Sequence, residues 1–167
     1  MVNYVLRPAL CLDLDDTVRY SKKGDYINSP ADIVLFDGVE ETIWGYKNEG
    51  FLICGISNQG GIAYGHKTPE DNEAELKYTG ELFTNDPFDM IISCYQMPGG
   101  KIFPYNHRSL LRKPDIGMLV QCELQAWQQG IIIDWTKSIM VGDRDTDEQC
   151  ALNAGIQFSW ATDFFFR

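Results

Sequence analysis

The sequence contains no run of about 18 apolar residues, so no membrane-spanning helix is expected. It is poor in positive charge: 14 Lys and Arg stand against 24 Asp and Glu, a formal charge of −10. That balance does not favour a nucleic-acid partner, because phosphate backbones reward clustered Lys and Arg; a local basic patch would still be needed. There is no C-x-x-C and no His/Cys cluster with zinc spacing. The five cysteines, Cys11, Cys54, Cys94, Cys122 and Cys150, are odd in number and scattered. They read as buried, reduced thiols of a cytoplasmic protein. The N-terminus, with Asn3 and Arg7-Pro8, lacks the apolar core of a signal peptide. No repeat, low-complexity tract or linker divides the chain, so residues 1–167 read as one domain, long enough for a sizeable core.

What is present centres on Leu10-Cys11-Leu12-Asp13-Leu14-Asp15-Asp16-Thr17. Ala9 to Leu12 reads as a short buried strand running into three carboxylates and a threonine. Carboxylates at the end of a buried strand are costly unless compensated, and a hard divalent cation is the usual compensation. Strand period puts Asp13 and Asp15 on one side, at the carboxyl end where open α/β sheets place their ligands. We read them as a nucleophile and a general acid/base beside one metal. The alternative for this stretch is a solvated acidic turn.

The rest of the chain alternates strands and helices. A polar turn spans Ser21 to Tyr26, a hairpin or flap beside the first strand. Asp37 with Glu40 predicts a capping box opening a helix that Gly50 ends. Phe51 to Ile56 predicts a second strand, followed by Ser57-Asn58-Gln59-Gly60-Gly61-Ile62-Ala63. That loop is either a phosphate cradle or a plain strand-to-helix turn. Thr68-Pro69 starts a helix to about Phe83, and Phe88 to Cys94 predicts a third strand. The segment 96–112 is long and irregular and carries Lys101, His107, Arg108 and Arg112, a sign of function. Pro114 then opens a helix whose core stripe is Ile116, Leu119, Val120, Leu124 and Trp127. Lys113, just before it, is either solvated or paired with an anion. Ser138 to Val141 is a fourth strand, ending in Gly142-Asp143-Arg144-Asp145-Thr146-Asp147. A helix to Ala154, a stop at Gly155 and a fifth strand, Ile156 to Trp160, complete the chain. Such alternation predicts an α/β fold: a doubly wound, Rossmann-like parallel sheet of about five strands with helices on both faces.

In such a sheet all strand C-termini share one edge, so Asp13/Asp15, Ser57/Asn58, Lys113 and Asp143/Asp147 can meet. A cation, a carboxylate nucleophile, a hydroxyl and an ammonium make a site for a phosphoryl group. In these four motifs and their order, the sequence resembles the haloacid dehalogenase superfamily of phosphohydrolases. The resemblance covers nearly the whole chain. It is closest to the branch, subfamily IIIA, holding heptose-bisphosphate and histidinol-phosphate phosphatases and the phosphatase domain of polynucleotide kinase-phosphatases. The closer match rests on Phe36-Asp37-Gly38-Val39, Ser57-Asn58-Gln59 with Gly61-Ile62-Ala63, and Arg112-Lys113-Pro114 with Gly117-Met118-Leu119.

The resemblance implies that Asp13 attacks phosphorus to form an aspartyl-phosphate, and that Asp15 protonates the leaving oxygen and then deprotonates water. It implies one Mg²⁺ on the Asp13 carboxylate, the Asp15 main-chain carbonyl and Asp143. Ser57, Asn58 and Lys113 would bind the phosphoryl group and Arg112 the rest of the substrate. Thr17 and Asp147 would support the site from behind, Asp147 by orienting Lys113 or a metal-bound water. The implied substrate is a small phosphorylated metabolite such as a sugar or amino-alcohol phosphate.

Two departures matter. Asp16 stands where the family usually has glycine. The zinc loop of the sugar-phosphate relatives is reduced here to Cys94 and His107, so no structural zinc is expected. No segment leaves room for a large cap domain, which implies an open site with the 96–112 loop as a partial wall. A nucleic-acid 3′-phosphatase is a second reading. A receiver-type phospho-acceptor would carry its acceptor aspartate on a later strand, after a separate acidic pair. A non-catalytic binding protein would not need all four motifs.

Overall fold

The computed structural model describes residues 4–24 and 26–165; Asn3 and Asp25 lie outside them. In chain order the strands and α-helices are β1 (Val5–Arg7), β2 (Ala9–Leu12), β3 (Arg19–Ser21), β4 (Ile33–Leu35), α1 (Val39–Asn48), β5 (Leu52–Asn58), α2 (Gly61–Tyr64), α3 (Pro69–Leu82), β6 (Met90–Cys94), α4 (Gly117–Gln128), β7 (Ile131–Ile133), β8 (Ile139–Gly142), α5 (Asp145–Ala154), β9 (Gln157–Trp160) and α6 (Ala161–Phe164).

Five strands form a parallel sheet in the order β6-β5-β2-β8-β9. Strand β2 is central because every residue in it is apolar and fully buried, so it can be covered on both faces. Period two divides its side chains. Cys11 joins one core with α4 and α5, while Leu10 and Leu12 join a second core with α1, α3 and α6. Helices thus cover both faces, as the alternation predicts. The Asp13 N–H continues the ladder to the Val141 carbonyl at 2.9 Å, so the acidic stretch leaves the sheet beside β8. All five cysteines are buried and free. Among the described residues no helix is long and apolar enough to cross a membrane.

Two smaller pairings lie outside the main sheet: the hairpin or flap expected from Ser21 onward is one of them, and the other had no clear signal in the sequence. β1 and β7 pair in parallel, and β3 and β4 form an antiparallel ribbon between β2 and α1. Strands this short carry too few residues for their alternation to stand out.

Three local expectations are corrected. Asp37 does not cap α1: Gly38 precedes it at φ 77°, with no side-chain cap, and Glu40 instead accepts the Thr84 N–H at 2.7 Å. Helix α4 begins at Gly117 rather than at Pro114. Its buried stripe is Met118, Leu119, Cys122 and Ala126, whereas Ile116, Val120, Leu124 and Trp127 face outward. Trp127 is 56% exposed and stacks on Tyr4. The helix is apolar on two sides, so periodicity alone could not choose which one meets the sheet.

Candidate active site

Every strand of the main sheet points its carboxyl end to one edge, and a cleft of about 1300 Å³ opens there. The elements deliver their residues for local reasons. After β2 the chain folds back on itself, with the N–H groups of Thr17, Val18 and Arg19 all directed at the Leu14 carbonyl. That turn needs one residue in the left-handed region, and Asp16 takes it at φ 63°. Aspartate tolerates this backbone better than most side chains, which is how the chain manages without glycine there.

Lys113 is the centre of the cluster. It is 3% exposed, yet its ammonium is charged: burial works against the charge, but Asp13 and Asp147 raise its pKa. It bonds Asp13 Oδ1, lies 2.7 Å from Asp147 Oδ1 and donates to the Ile56 carbonyl at 3.0 Å. Asp147 Oδ2 accepts from the main-chain N–H groups of Asp143 and Arg144, at 3.2 and 3.1 Å, where α5 begins. Both Asp147 oxygens are therefore committed. Gly142 leaves the space for this carboxylate; a Cβ there would overlap it.

Asp13, Asp143 and Asp147 have carboxylate oxygens within 4.8 Å of one another. Burial, reinforced by Asp147 and opposed by Lys113, pushes Asp13 up to about 7. Burial and Asp147 also raise Asp143. Thr17 Oγ donates to Asp143 Oδ1 at 3.4 Å. Three carboxylates around one ammonium leave an excess of two negative charges, which one divalent ion would balance. The oxygen donors of Asp13 and Asp143 suit a hard cation, and Asp147 has less to offer one because Lys113 and the helix start already hold it.

Asp15 stands apart from that cluster. Arg19 Nε donates to its Oδ1 and Gln59 Nε2 to its Oδ2, both at 2.8 Å. Burial opposes its ionisation, but the Arg19 charge and these bonds outweigh burial and hold its pKa below the usual value. Gln59 also donates to Ser57 Oγ at 2.8 Å, tying the hydroxyl to the carboxylate. Asn58 behaves unlike its expected place on a phosphate. Both ends of its amide are spent on Lys113: Nδ2 donates to the lysine carbonyl at 3.0 Å, and Oδ1 accepts its N–H at 3.1 Å. It sets the lysine backbone in place.

The loop 96–112 forms one wall of the cleft, with Met97, Pro98, Arg108, Ser109 and Arg112. Main-chain bonds anchor it: Lys101 and Ile102 donate to the Ala63 carbonyl at 2.6 and 2.9 Å. Arg112 is half-buried, donates to the Gln96 carbonyl at 3.3 Å and has no carboxylate partner among the described residues. Other cations on the cleft are paired: Arg108 with Asp115, Lys67 with Glu75, and Arg144 with Asp16 and Asp143. His66 lies at the rim, exposed. The sequence reading assigned no role to Gln59 or Arg19. Gln59 enters only as part of the Ser57-Asn58-Gln59 piece of the family resemblance, and nothing in the sequence marks Arg19 as buried.

A doubly wound parallel sheet with acidic residues leaving its central strand, beside a buried lysine and a second acidic strand end, defines a phosphatase of the haloacid dehalogenase class. Comparison with known proteins narrows this. Residues 9–165 match the family model described as polynucleotide kinase 3 phosphatase, and the chain belongs to that family. It is 32% identical over 153 residues to a D-glycero-D-manno-heptose-1,7-bisphosphate 7-phosphatase of Chlorobaculum tepidum, covering 89% of this chain and 75% of the relative. It is 32% identical over 151 residues to the D-glycero-beta-D-manno-heptose-1,7-bisphosphate 7-phosphatase of Yersinia pestis, covering 89% and 77%. Among solved structures, a HAD-like phosphatase from Mesorhizobium loti superposes with a TM-score of 0.78 at 29% identity, over 93% of this chain and 72% of that one. A D,D-heptose 1,7-bisphosphate phosphatase from B. bronchiseptica, solved with magnesium and phosphate, shares the fold with a TM-score of 0.72 at 22% identity, over 90% and 78%.

Proposed function

We propose that the protein hydrolyses phosphomonoesters of small metabolites, such as sugar or amino-alcohol phosphates, through an aspartyl-phosphate on Asp13. The observation that carries this reading is the Lys113 ammonium held between Asp13 and Asp147 at the cleft floor, with Asp143 beside them. Asp13 attacks phosphorus and the bond to the leaving oxygen breaks; Asp15, which takes up a proton as the anionic phosphate enters beside it and offsets the pull of Arg19, gives that oxygen the proton. Water then attacks the phosphorus of the acyl phosphate, its proton passes to Asp15, and inorganic phosphate leaves with the Asp13 carboxylate restored. Ser57 Oγ and Lys113 offset charge on the phosphoryl oxygens. Mg²⁺ held by Asp13, Asp143 and the Asp15 main-chain carbonyl would neutralise the nucleophile and phosphate so that the two anions can approach.

Among the described residues Arg112 is the cleft cation without a carboxylate partner, so it is placed to meet a second anionic or polar group of the substrate. This arrangement favours a small molecule over a nucleic acid, whose backbone would call for several uncommitted cations. The family match keeps a 3′-phosphorylated oligonucleotide as the second reading. A loop held by packing rather than by zinc is supported by the contacts of the two candidate ligands: the Cys94 thiol is buried against the Gln96 carbonyl, and His107 Nδ1 is 2.7 Å from the Pro104 carbonyl. Metal analysis finding stoichiometric zinc would overturn that part.

The test is a screen with Mg²⁺ against sugar phosphates, amino-alcohol phosphates, nucleotides and 3′-phosphorylated oligonucleotides, with Asp13→Asn as control. Turnover of small phosphates that Asp13→Asn abolishes supports the proposal. Turnover confined to oligonucleotides favours the second reading, and no turnover even of an aryl phosphate refutes both.

A further inference from the structure

Asp15 is gripped from two sides, and one grip comes from outside the cleft. Gln59 holds Oδ2 on the cleft side, where it also holds Ser57. Arg19 holds Oδ1 from behind; it is fully buried and does not line the cleft. The far end of its guanidinium is fixed to α3, with Nη1 donating to Thr79 Oγ1 at 2.5 Å and to the Glu75 carbonyl at 3.2 Å. The chain is built around this arginine. The fully buried residues of α3 are Asn72, Glu75, Thr79 and Gly80, while Leu76, the apolar residue it packs on the second core, is only partly buried. Most helices packed on a sheet bury an apolar stripe.

The arrangement is expensive. A buried guanidinium forfeits its hydration, and an apolar side chain of similar volume would fill the space at lower cost. Arg19 Nη2, Glu75 Oε1 and Asn72 Oδ1 are each buried without a hydrogen-bond partner, which adds desolvation penalties. Packing alone does not account for a charged, incompletely satisfied group at this position. What Arg19 does that an apolar residue could not is fix the rotation of the Asp15 carboxylate.

Resting on the reading of Asp15 as proton donor, we infer that Arg19 is a positioning residue for proton transfer. It anchors Oδ1 to α3, so that Oδ2 is the oxygen presented to the leaving group. The competing view is that Arg19 merely ties β3 to α3.

Leaving-group dependence separates the two views. The parameter kcat/KM covers steps only up to departure of the leaving group, so hydrolysis of the aspartyl-phosphate does not enter it. In Mg²⁺ buffer, kcat/KM is measured for the wild type, Arg19→Lys, Thr79→Val and Asp13→Asn. One substrate is a primary alkyl phosphate, whose alkoxide needs a proton. The other is 2,4-dinitrophenyl phosphate, whose phenolate leaves without one. Arg19→Lys is expected to lower kcat/KM at least about tenfold for the alkyl ester but less than about threefold for the dinitrophenyl ester. Thr79→Val, which removes one of the two bonds that anchor Arg19 to α3 and leaves the Asp15–Arg19 pair, shows the same bias at roughly two- to fivefold. It carries the comparison should Arg19→Lys not fold. Equal losses on both esters, with Asp13→Asn inactive on both, overturn the inference alone. Turnover retained by Asp13→Asn overturns the reading of the site and this inference with it.

Discussion

Asp13 stores a cost that the metal-free protein must bear, and removing its charge should make the fold more stable. Asp13 is 8% exposed and its carboxyl is pushed from 3.8 to about 7, chiefly by burial. A carboxyl whose folded pKa lies above its unfolded value costs nothing below about pH 4, where both states are protonated. The penalty grows as pH rises and is complete above about pH 7. A shift of roughly three units at about 1.4 kcal/mol each sets a ceiling of about 4 kcal/mol. Asp13→Asn removes the titrating group while Asp147 keeps Lys113 paired. In EDTA, the stability of Asp13→Asn relative to wild type should therefore rise by up to about 4 kcal/mol between pH 4 and pH 7.5. Urea unfolding followed by circular dichroism at several pH values measures this. Saturating Mg²⁺ should shrink the difference, because the ion would stabilise the wild-type carboxylate and bind the variant poorly. A difference that does not change with pH, or that moves in the wild type's favour as pH rises, refutes the reasoning.

Asp143→Asn should weaken Mg²⁺ binding at least about tenfold by titration calorimetry while leaving the Lys113 pairs intact; unchanged affinity would remove Asp143 from the proposed ligand set. Gly142→Ala drives a Cβ into Asp147, so it should cost about 1–3 kcal/mol in denaturant melts and reduce turnover with it. A fully stable, active Gly142→Ala would show that Asp147 is not held as described. On α4, Met118→Ala should cost about 2–5 kcal/mol and Leu124→Ala under about 0.5 kcal/mol. The reverse order would mean that the helix presents its other apolar side to the sheet.

Much of this architecture could be read in order along the chain. The buried run Ala9–Leu12, the repeated change from apolar strand to polar helix start, and the stops at Gly50 and Gly155 follow from local physics. Period-two and period-3.6 patterns report which elements form, and a parallel sheet must gather its strand ends at one edge. That topology brings Asp13, Ser57, Lys113 and Asp143 into one neighbourhood, and it rests on backbone geometry rather than on side-chain detail.

Other features had to wait for the packed molecule. Helix α4 carries two apolar stripes, and contact with the sheet selects Met118, Leu119, Cys122 and Ala126. Asn58 looked like a substrate ligand, but its amide finds both partners on Lys113, 55 residues away. Nothing in the sequence marks Arg19 as buried, and its burial depends on Thr79 and Glu75, which come 60 and 56 residues later. A sequence fixes which groups are acidic, basic or apolar and how they repeat along an element. Which of them lose water, and which charges must then find each other, depends on contacts between distant segments, and only the tertiary structure decides that.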